Sequence, residues 1–312
     1  MKHLISLKDW TEEEIKETVY QAITIKRNQK AWQDSLKGKT LIMLFEKTST
    51  RTRLSFETTM TQLGGHAIFL DKRTTQFSLT DFNDEIKAVM RLGDILMFRA
   101  KKVEDVLKAA SHNLVPVIDA CSEKYHPTQA LSDIMTMAEK SEGIKNIQKV
   151  VWLGIENNVS NTLMLACAKL GITFVIVAPE ADKESIDWEL NQLAEKTGKV
   201  VRTLNLREAL ANADYVHTDT WMNMEFFENG AVKPEFREEY ERRKRLFLPY
   251  QLNAGLVNLY CPKAKIMHCM PCHVGYEISR DAIDHPNSII FDQAENRLHA
   301  QKAIILKLLG VI

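Results

Sequence analysis

At 312 residues the chain is long for one ordinary domain and comfortable for two. Its 45% hydrophobic and 26% charged residues suit a globular protein with an ample core, and 41 Lys plus Arg against 41 Asp plus Glu leave no basic excess for nucleic acid or an anionic membrane. No apolar run reaches the roughly 18 residues that span a bilayer, Met1–Trp10 has no signal-peptide core, and five scattered cysteines form no disulfide framework, so the cytoplasm is the expected compartment.

Along the chain, short apolar runs alternate with amphipathic segments. A helical pattern over 11–28 precedes the strand candidate Thr40–Phe45, and a second over 52–63 carries Leu54, Phe56, Met60 and Leu63. His66–Leu70, Asp94–Phe98 and Val115–Asp119 read as further strands, with helices over 81–91, 103–111 and 127–139. After the polar stretch Lys140–Gln148, a candidate hinge, the alternation restarts with strands Val150–Gly154, Thr173–Ala178, Tyr215–Thr218 and Lys265–His268 and helices over 158–170 and 183–196. Residues 225–250 are charged and irregular, and the helical tail 293–310 could pack on either half. Val-, Ile- and Leu-rich strands separated by helices imply an α/β fold of mainly parallel sheets joined by right-handed crossovers.

The densest chemistry follows the first strand, in Glu46-Lys47-Thr48-Ser49-Thr50-Arg51-Thr52-Arg53. A turn between a strand's C-terminal end and a helix N-terminus offers unpaired N–H groups and a favourable dipole to an anion. Ser49, Thr50 and Thr52 add hydroxyls, and Arg51 and Arg53 add guanidinium forks matched to phosphate oxygens. Helix capping accounts for one hydroxyl, not for three interleaved with two like charges. The turn is neither a Walker loop nor a Gly-x-Gly-x-x-Gly fingerprint, so a nucleotide is not indicated.

Ser49-Thr50-Arg51-Thr52-Arg53 resembles the carbamoyl-phosphate signature of the aspartate and ornithine carbamoyltransferase family. Further pieces follow in the family's order: Arg99; His126-Pro127-Thr128-Gln129; Asn157-Asn158; Asp219-Thr220-Trp221; His268-Cys269-Met270-Pro271, of the ornithine type; and Glu295-Asn296-Arg297. The resemblance covers essentially the whole chain. It implies two α/β domains, 1–140 for carbamoyl phosphate with the C-terminal helix 293–312 returning to it, and 149–292 for the amino acid. It implies transfer of the carbamoyl group to the side-chain amine of ornithine, giving citrulline and phosphate. Arg51, Arg99, His126 and Cys269 would be catalytic. Ser49, Thr50, Arg51, Thr52, Gln76, Arg99, His126, Gln129, Cys269, Met270 and Arg297 would hold carbamoyl phosphate, and Asn158, Asp219, Asn223 and Met224 would hold ornithine. It calls for no metal or other cofactor, small-molecule substrates only, and a homotrimer or multiple of trimers.

The pattern has breaks. The family's Ser-Met-Gly is Asn223-Met224-Glu225, its Gly-Asp is Gly154-Ile155, and Thr75–Asp81 lacks the Leu-Gly-x-x-Glu run, leaving Gln76 as the remaining contact there. Glu225 adds bulk and charge where glycine permits close backbone approach. Putrescine or an N-modified ornithine as acceptor, and a non-catalytic binding descendant, therefore stay open. Cys269-Met270-Pro271-Cys272-His273 also matches a haem-attachment or Cys-x-x-Cys string, but without an export signal, further zinc ligands at ligand spacing, or a helix opening at that point.

Overall fold

A capping box starts helix α1 (Glu12–Arg27): Thr11 Oγ1 accepts from the Glu14 N–H at 3.1 Å and the Glu14 carboxylate accepts from the Thr11 N–H at 2.8 Å. The computed structural model describes residues 1–222, 226–228 and 231–312. Beyond α1 the first half alternates β1 (Thr40–Phe45), α2 (Thr50–Gln62), β2 (His66–Asp71), α3 (Phe82–Met90), β3 (Ile95–Arg99), α4 (Val103–Ser111), β4 (Val117–Asp119) and α5 (Pro127–Lys140). Its strands form a parallel sheet in the order β2-β1-β3-β4.

The second half runs β5 (Lys149–Leu153), α6 (Asn158–Lys169), β6 (Thr173–Val177), α7 (Trp188–Glu195), β7 (Val200–Arg202), α8 (Leu206–Leu210) and β8 (Tyr215–Thr218). The short antiparallel pair β9 (Phe227–Glu228) and β10 (Ala231–Val232) follows, then α9 (Arg237–Phe247), α10 (Ala254–Tyr260), β11 (Lys265–His268), α11 (Arg280–Ile283) and α12 (Ile290–Leu308). The large sheet is again all parallel, in the order β11-β8-β5-β6-β7. Among the described residues no helix is long and apolar enough to cross a membrane.

Each sheet reverses its winding once, between β1 and β3 in the first and between β5 and β8 in the second. In open parallel sheets the crevice beyond the strands' C-terminal ends at such a reversal is where ligands bind. Here those ends carry Phe45 and Arg99 on one side, and Leu153, Thr218 and the following Asp219 on the other.

Helix α12 leaves the second half and packs on α1, α2 and α5 of the first, as well as on β11. Thr59 Oγ1 donates to the Leu298 carbonyl at 3.1 Å, and Asn296 Nδ2 donates to Thr136 Oγ1 at 3.0 Å. One apolar cluster runs through both halves, from Leu41 and Met43 across Ile134 and Leu163 to Trp152 and Ile304. The connection between the halves is packed, not loose: Ile144 and Ile147 are buried within the polar stretch, because its charged residues face outward around them.

Several elements differ from the sequence pattern. Helix α2 begins at Thr50, two residues early, since Ser49 and not a later hydroxyl is its N-cap. Arg99, expected just past a strand, is the last residue of β3; Asp94, expected in that strand, instead lies outside it and accepts from the Thr40 N–H at 2.8 Å. The pattern over 183–196 divides, with Ile186 extended and Asp187 capping α7. The stretch 225–250 contains the helix α9, which has no clear apolar period. Its charges pair along the surface (Arg243 with Glu239, Arg242 with Glu180), and Phe247 stacks on Trp221 with ring centroids 5.5 Å apart.

Candidate active site

Ser49 has extended backbone and accepts from the Thr52 N–H at 3.4 Å, so the first turn of α2 opens toward the C-terminal ends of β1 and β3. Ser49 Oγ donates to Thr52 Oγ1 at 3.0 Å, and the same Thr52 oxygen accepts from Arg297 Nη2 at 2.9 Å. Arg297 thus reaches the turn from α12. It is 3% exposed, and burial, with Arg99 and Arg51 nearby, lowers its pKa to about 10, leaving it cationic at neutral pH. Arg51 is likewise pulled below the usual guanidinium value by burial, with Arg99 adding to the effect. Arg99 donates from Nη1 to the Ala120 carbonyl at 3.0 Å.

Among the described residues the Nε atoms of Arg51, Arg99 and Arg297 are buried and meet no hydrogen-bond partner. Three converging guanidinium groups repel one another, and among the described residues no carboxylate forms an ion pair with any of them. A dianion at the helix N-terminus would supply both the counter-charge and the acceptors.

His126 caps the start of α5, where Pro127 holds the first helical position. Its backbone N–H donates to Thr162 Oγ1 of α6 at 3.0 Å, which ties it to the second half. Burial above all, then Arg297, Arg99 and Lys47, holds its pKa well below the ordinary histidine value, so the ring is neutral at neutral pH. Nδ1 lies 3.3 Å from Thr128 Oγ1; with that hydroxyl donating, the proton sits on Nε2. Gln129 is buried on the next positions of α5 and donates from Nε2 to Asp133 Oδ1 at 2.8 Å.

On the opposite side, Asp219 follows β8 and Cys269 follows β11, strands paired in parallel register. Cys269 Sγ donates to Asp219 Oδ1 at 3.0 Å, and Oδ1 also accepts from the Thr220 N–H at 2.8 Å. Asn157 Nδ2 donates to Asp219 Oδ2 at 2.8 Å. Burial first, then the charge of Asp219, pushes the Cys269 thiol well above its usual pKa, so it is a neutral S–H donor and no thiolate nucleophile. Met270 adopts the left-handed φ of 55° and Cys121, on the facing loop, a φ of 124°. Backbone held there by non-glycine residues concentrates at functional sites.

Not every predicted residue joins this crevice. Arg53 pairs with Glu57 at 2.8 Å and lies over the Phe69 ring at 3.9 Å, away from the other three arginines. Thr50 and Gln76 are exposed, Gln76 on the short turn Gln76–Ser78. Asn157 serves as N-cap of α6 and holds Asp219, while Asn158 Nδ2 donates across the crevice to the Ser122 carbonyl at 2.7 Å and to Cys121 Sγ at 3.3 Å. Asn223 and Met224 lie outside the described residues.

A metal does not suit the group formed by Asp219, His268 and Cys269. His268 Nδ1 accepts from the Met270 N–H at 2.8 Å and Nε2 faces Glu277 Oε1 at 3.2 Å, so neither ring nitrogen keeps a lone pair free for a cation. Cys272 and His273 stand apart from that group; His273 Nδ1 bonds Thr220 Oγ1 at 3.0 Å.

Sequence reading missed Thr162, Lys47 and the link from Asn157 to Asp219. Their types are ordinary for caps and surfaces; the folded approach of α6 to α5 and of β5 to β8 gives Thr162 and Asn157 their roles, and Lys47 acts only through the charge it brings near His126.

Family models match most of the chain: the aspartate/ornithine carbamoyltransferase carbamoyl-P binding domain over residues 2–139 and the Asp/Orn binding domain over residues 146–308. The chain is 41% identical to an ornithine carbamoyltransferase of Pyrococcus abyssi, over 99% of this chain and 96% of that protein. It is 40% identical to the anabolic ornithine carbamoyltransferase of Pyrococcus furiosus, over 100% and 97%. A solved structure of ornithine carbamoyltransferase from Pyrococcus furiosus superposes with a TM-score of 0.89 at 40% identity, covering 100% of this chain and 98% of that one. The anabolic enzyme of Campylobacter jejuni gives 0.88 at 34% identity, covering both chains in full.

Proposed function

The chain belongs to the aspartate/ornithine carbamoyltransferase family, and we propose the following working of its site. The enzyme transfers the carbamoyl group of carbamoyl phosphate to the side-chain amine of ornithine, giving citrulline and phosphate. Carbamoyl phosphate lies at the N-terminus of α2, its phosphate among Ser49, Arg51, Thr52, Arg99 and Arg297, with Thr50 offering only its backbone N–H at the helix start. Ornithine lies against Asp219, which receives an amino group, with Asn158 on the facing side. The neutral amine attacks the carbamoyl carbon directly, because the buried, protonated thiol of Cys269 is too weak a nucleophile to intervene.

As the tetrahedral intermediate forms, negative charge builds on the carbamoyl oxygen. Arg99 and the neutral His126, through Nε2–H, donate to that oxygen, and Gln129 orients the carbamoyl amide. The C–O bond to phosphate then breaks, and the departing phosphate takes up the proton the amine gives up, leaving as the hydrogen phosphate dianion neutralised by Arg51 and Arg297. Cys269, Met270 and Asp219 flank the amine as it loses its proton. The observation that carries this reading is the trio of guanidinium groups at one helix N-terminus whose buried Nε atoms lack partners among the described residues.

The working form is a homotrimer, or a multiple of trimers, in the cytoplasm. Support comes from the edge strand β2, where Ile68 is 38% exposed, and from Leu54 of α2, 57% exposed, an apolar margin beside the phosphate turn. The neighbouring segment carrying Gln76 then contributes to another subunit's site.

Colorimetric measurement of ureido product tests the reading. Ornithine is expected to react in preference to putrescine, lysine and acetylornithine. The rate should rise with pH through an apparent amine pKa, since a protonated amine cannot attack, with no second ionisation from His126 between pH 6 and 9. No ureido product from ornithine would refute it.

A further inference from the structure

Behind the groups assigned above, a buried polar chain joins α5 to β8, α12 and β11. Gln129, Asp133, His217 and Gln293 are each at most 1% exposed. The direction of the bonds that lead to Gln129 can be read from one end. The His268 backbone N–H can only donate, and it meets Gln293 Oε1 at 2.9 Å. That fixes the Gln293 amide, so Nε2 is the group 2.7 Å from Asp133 Oδ1 and 2.9 Å from His217 Nε2. His217 Nδ1 lies 3.0 Å from the Thr218 carbonyl, and its Nε2 stands between Gln293 Nε2 and, at 3.3 Å, the second carboxylate oxygen of Asp133.

Asp133 Oδ1 accepts a second time, from Gln129 Nε2 at 2.8 Å, one helical turn back along α5. A primary amide has one donating end and one accepting end. With Nε2 taken by Asp133, Gln129 presents its carbonyl oxygen, Oε1, on the side away from the carboxylate. Free rotation of the amide would mix the two orientations; a buried carboxylate that only accepts removes one of them.

We propose that Asp133 and Gln293 are positioning residues that hold Gln129 Oε1 as an acceptor for the carbamoyl NH2, and so let the site separate carbamoyl phosphate from an acyl phosphate bearing a methyl group in its place. The inference rests on the carbamoyl-phosphate reading above. A site built to bond a substrate N–H rejects an analogue lacking it by factors of up to about 10⁴. The chain from His268 to Gln129 also ties the backbone beside Cys269 to the carbamoyl end of the site through α12.

The test is calorimetric binding of carbamoyl phosphate and acetyl phosphate to the full-length protein. Asp133→Asn keeps the shape but can offer a donor to a reversed Gln129. It is expected to lower the preference for carbamoyl over acetyl phosphate by about tenfold or more, with acetyl phosphate affinity changed less than about twofold. Gln129→Met should remove the same preference, and adding Asp133→Asn to it should change nothing further. Gln293→Met should move the preference in the same direction by a smaller factor, and serves if Asp133→Asn does not fold. Equal weakening of both ligands, or an unchanged preference in a folded variant, overturns the inference. A wild-type protein that binds neither ligand would instead overturn the reading beneath it.

Discussion

The two faces of the crevice are occupied differently. On the β1–β3 face, Arg51, Arg99 and Arg297 converge with Nε atoms that have no partner among the described residues. On the β8–β11 face, Asp219 already accepts from Cys269, Thr220 and Asn157, and Asn158 already spans to Ser122. One face gains charge neutralisation when an anion arrives. The other must exchange existing hydrogen bonds for those of the amino acid, so its net gain is smaller. Electrostatic groups aimed at developing charge should therefore dominate catalysis, while the acceptor face sets affinity and identity.

The largest effect should fall on the first face. Arg51→Ala is expected to lower turnover by about a hundredfold to a thousandfold, and Arg51→Lys by about a hundredfold, since a point charge cannot reproduce the guanidinium fork. Steady-state kinetics with both substrates check this, and near-normal turnover in either variant would break the comparison. A smaller effect is expected on the second face. Asp219→Asn should raise the KM for ornithine by about tenfold to a hundredfold, the worth of one charge-assisted hydrogen bond, while carbamoyl phosphate binding holds. An equal loss of both affinities would erase the distinction between the faces.

How far the sequence reaches is clearest at the phosphate turn. A strand, three hydroxyls and two arginines at 49–53 announce an anion site before any fold is known. The same stretch also misleads. With α2 starting at Thr50, Arg51 and Arg53 stand about 200° apart around the helix axis, so only one can face the anion and Arg53 turns to Glu57 and Phe69. Arg297 was legible only through the family resemblance, because nothing near residue 297 says that α12 returns to lie on α2.

Asp133 could be found as the residue four after Gln129 on one helix, yet its second donor, Gln293, is 160 residues away. The helix α9 escaped the apolar pattern because pairs of opposite charge, not an apolar stripe, fill most of its surface. The parallel sheets were legible in their central strands, since strands buried on both faces leave uninterrupted apolar runs such as Leu41–Phe45 and Val150–Leu153, whereas the short edge strand β7, largely exposed, was missed.

The central claim is that the three arginines are held together to meet one dianion. A crystal structure with carbamoyl phosphate bound tests it most directly. The account predicts the phosphate at the N-terminus of α2, with guanidinium groups of Arg51, Arg99 and Arg297 all within hydrogen-bond distance of the ligand. A ligand bound elsewhere, with those three groups turned to other partners, would contradict it.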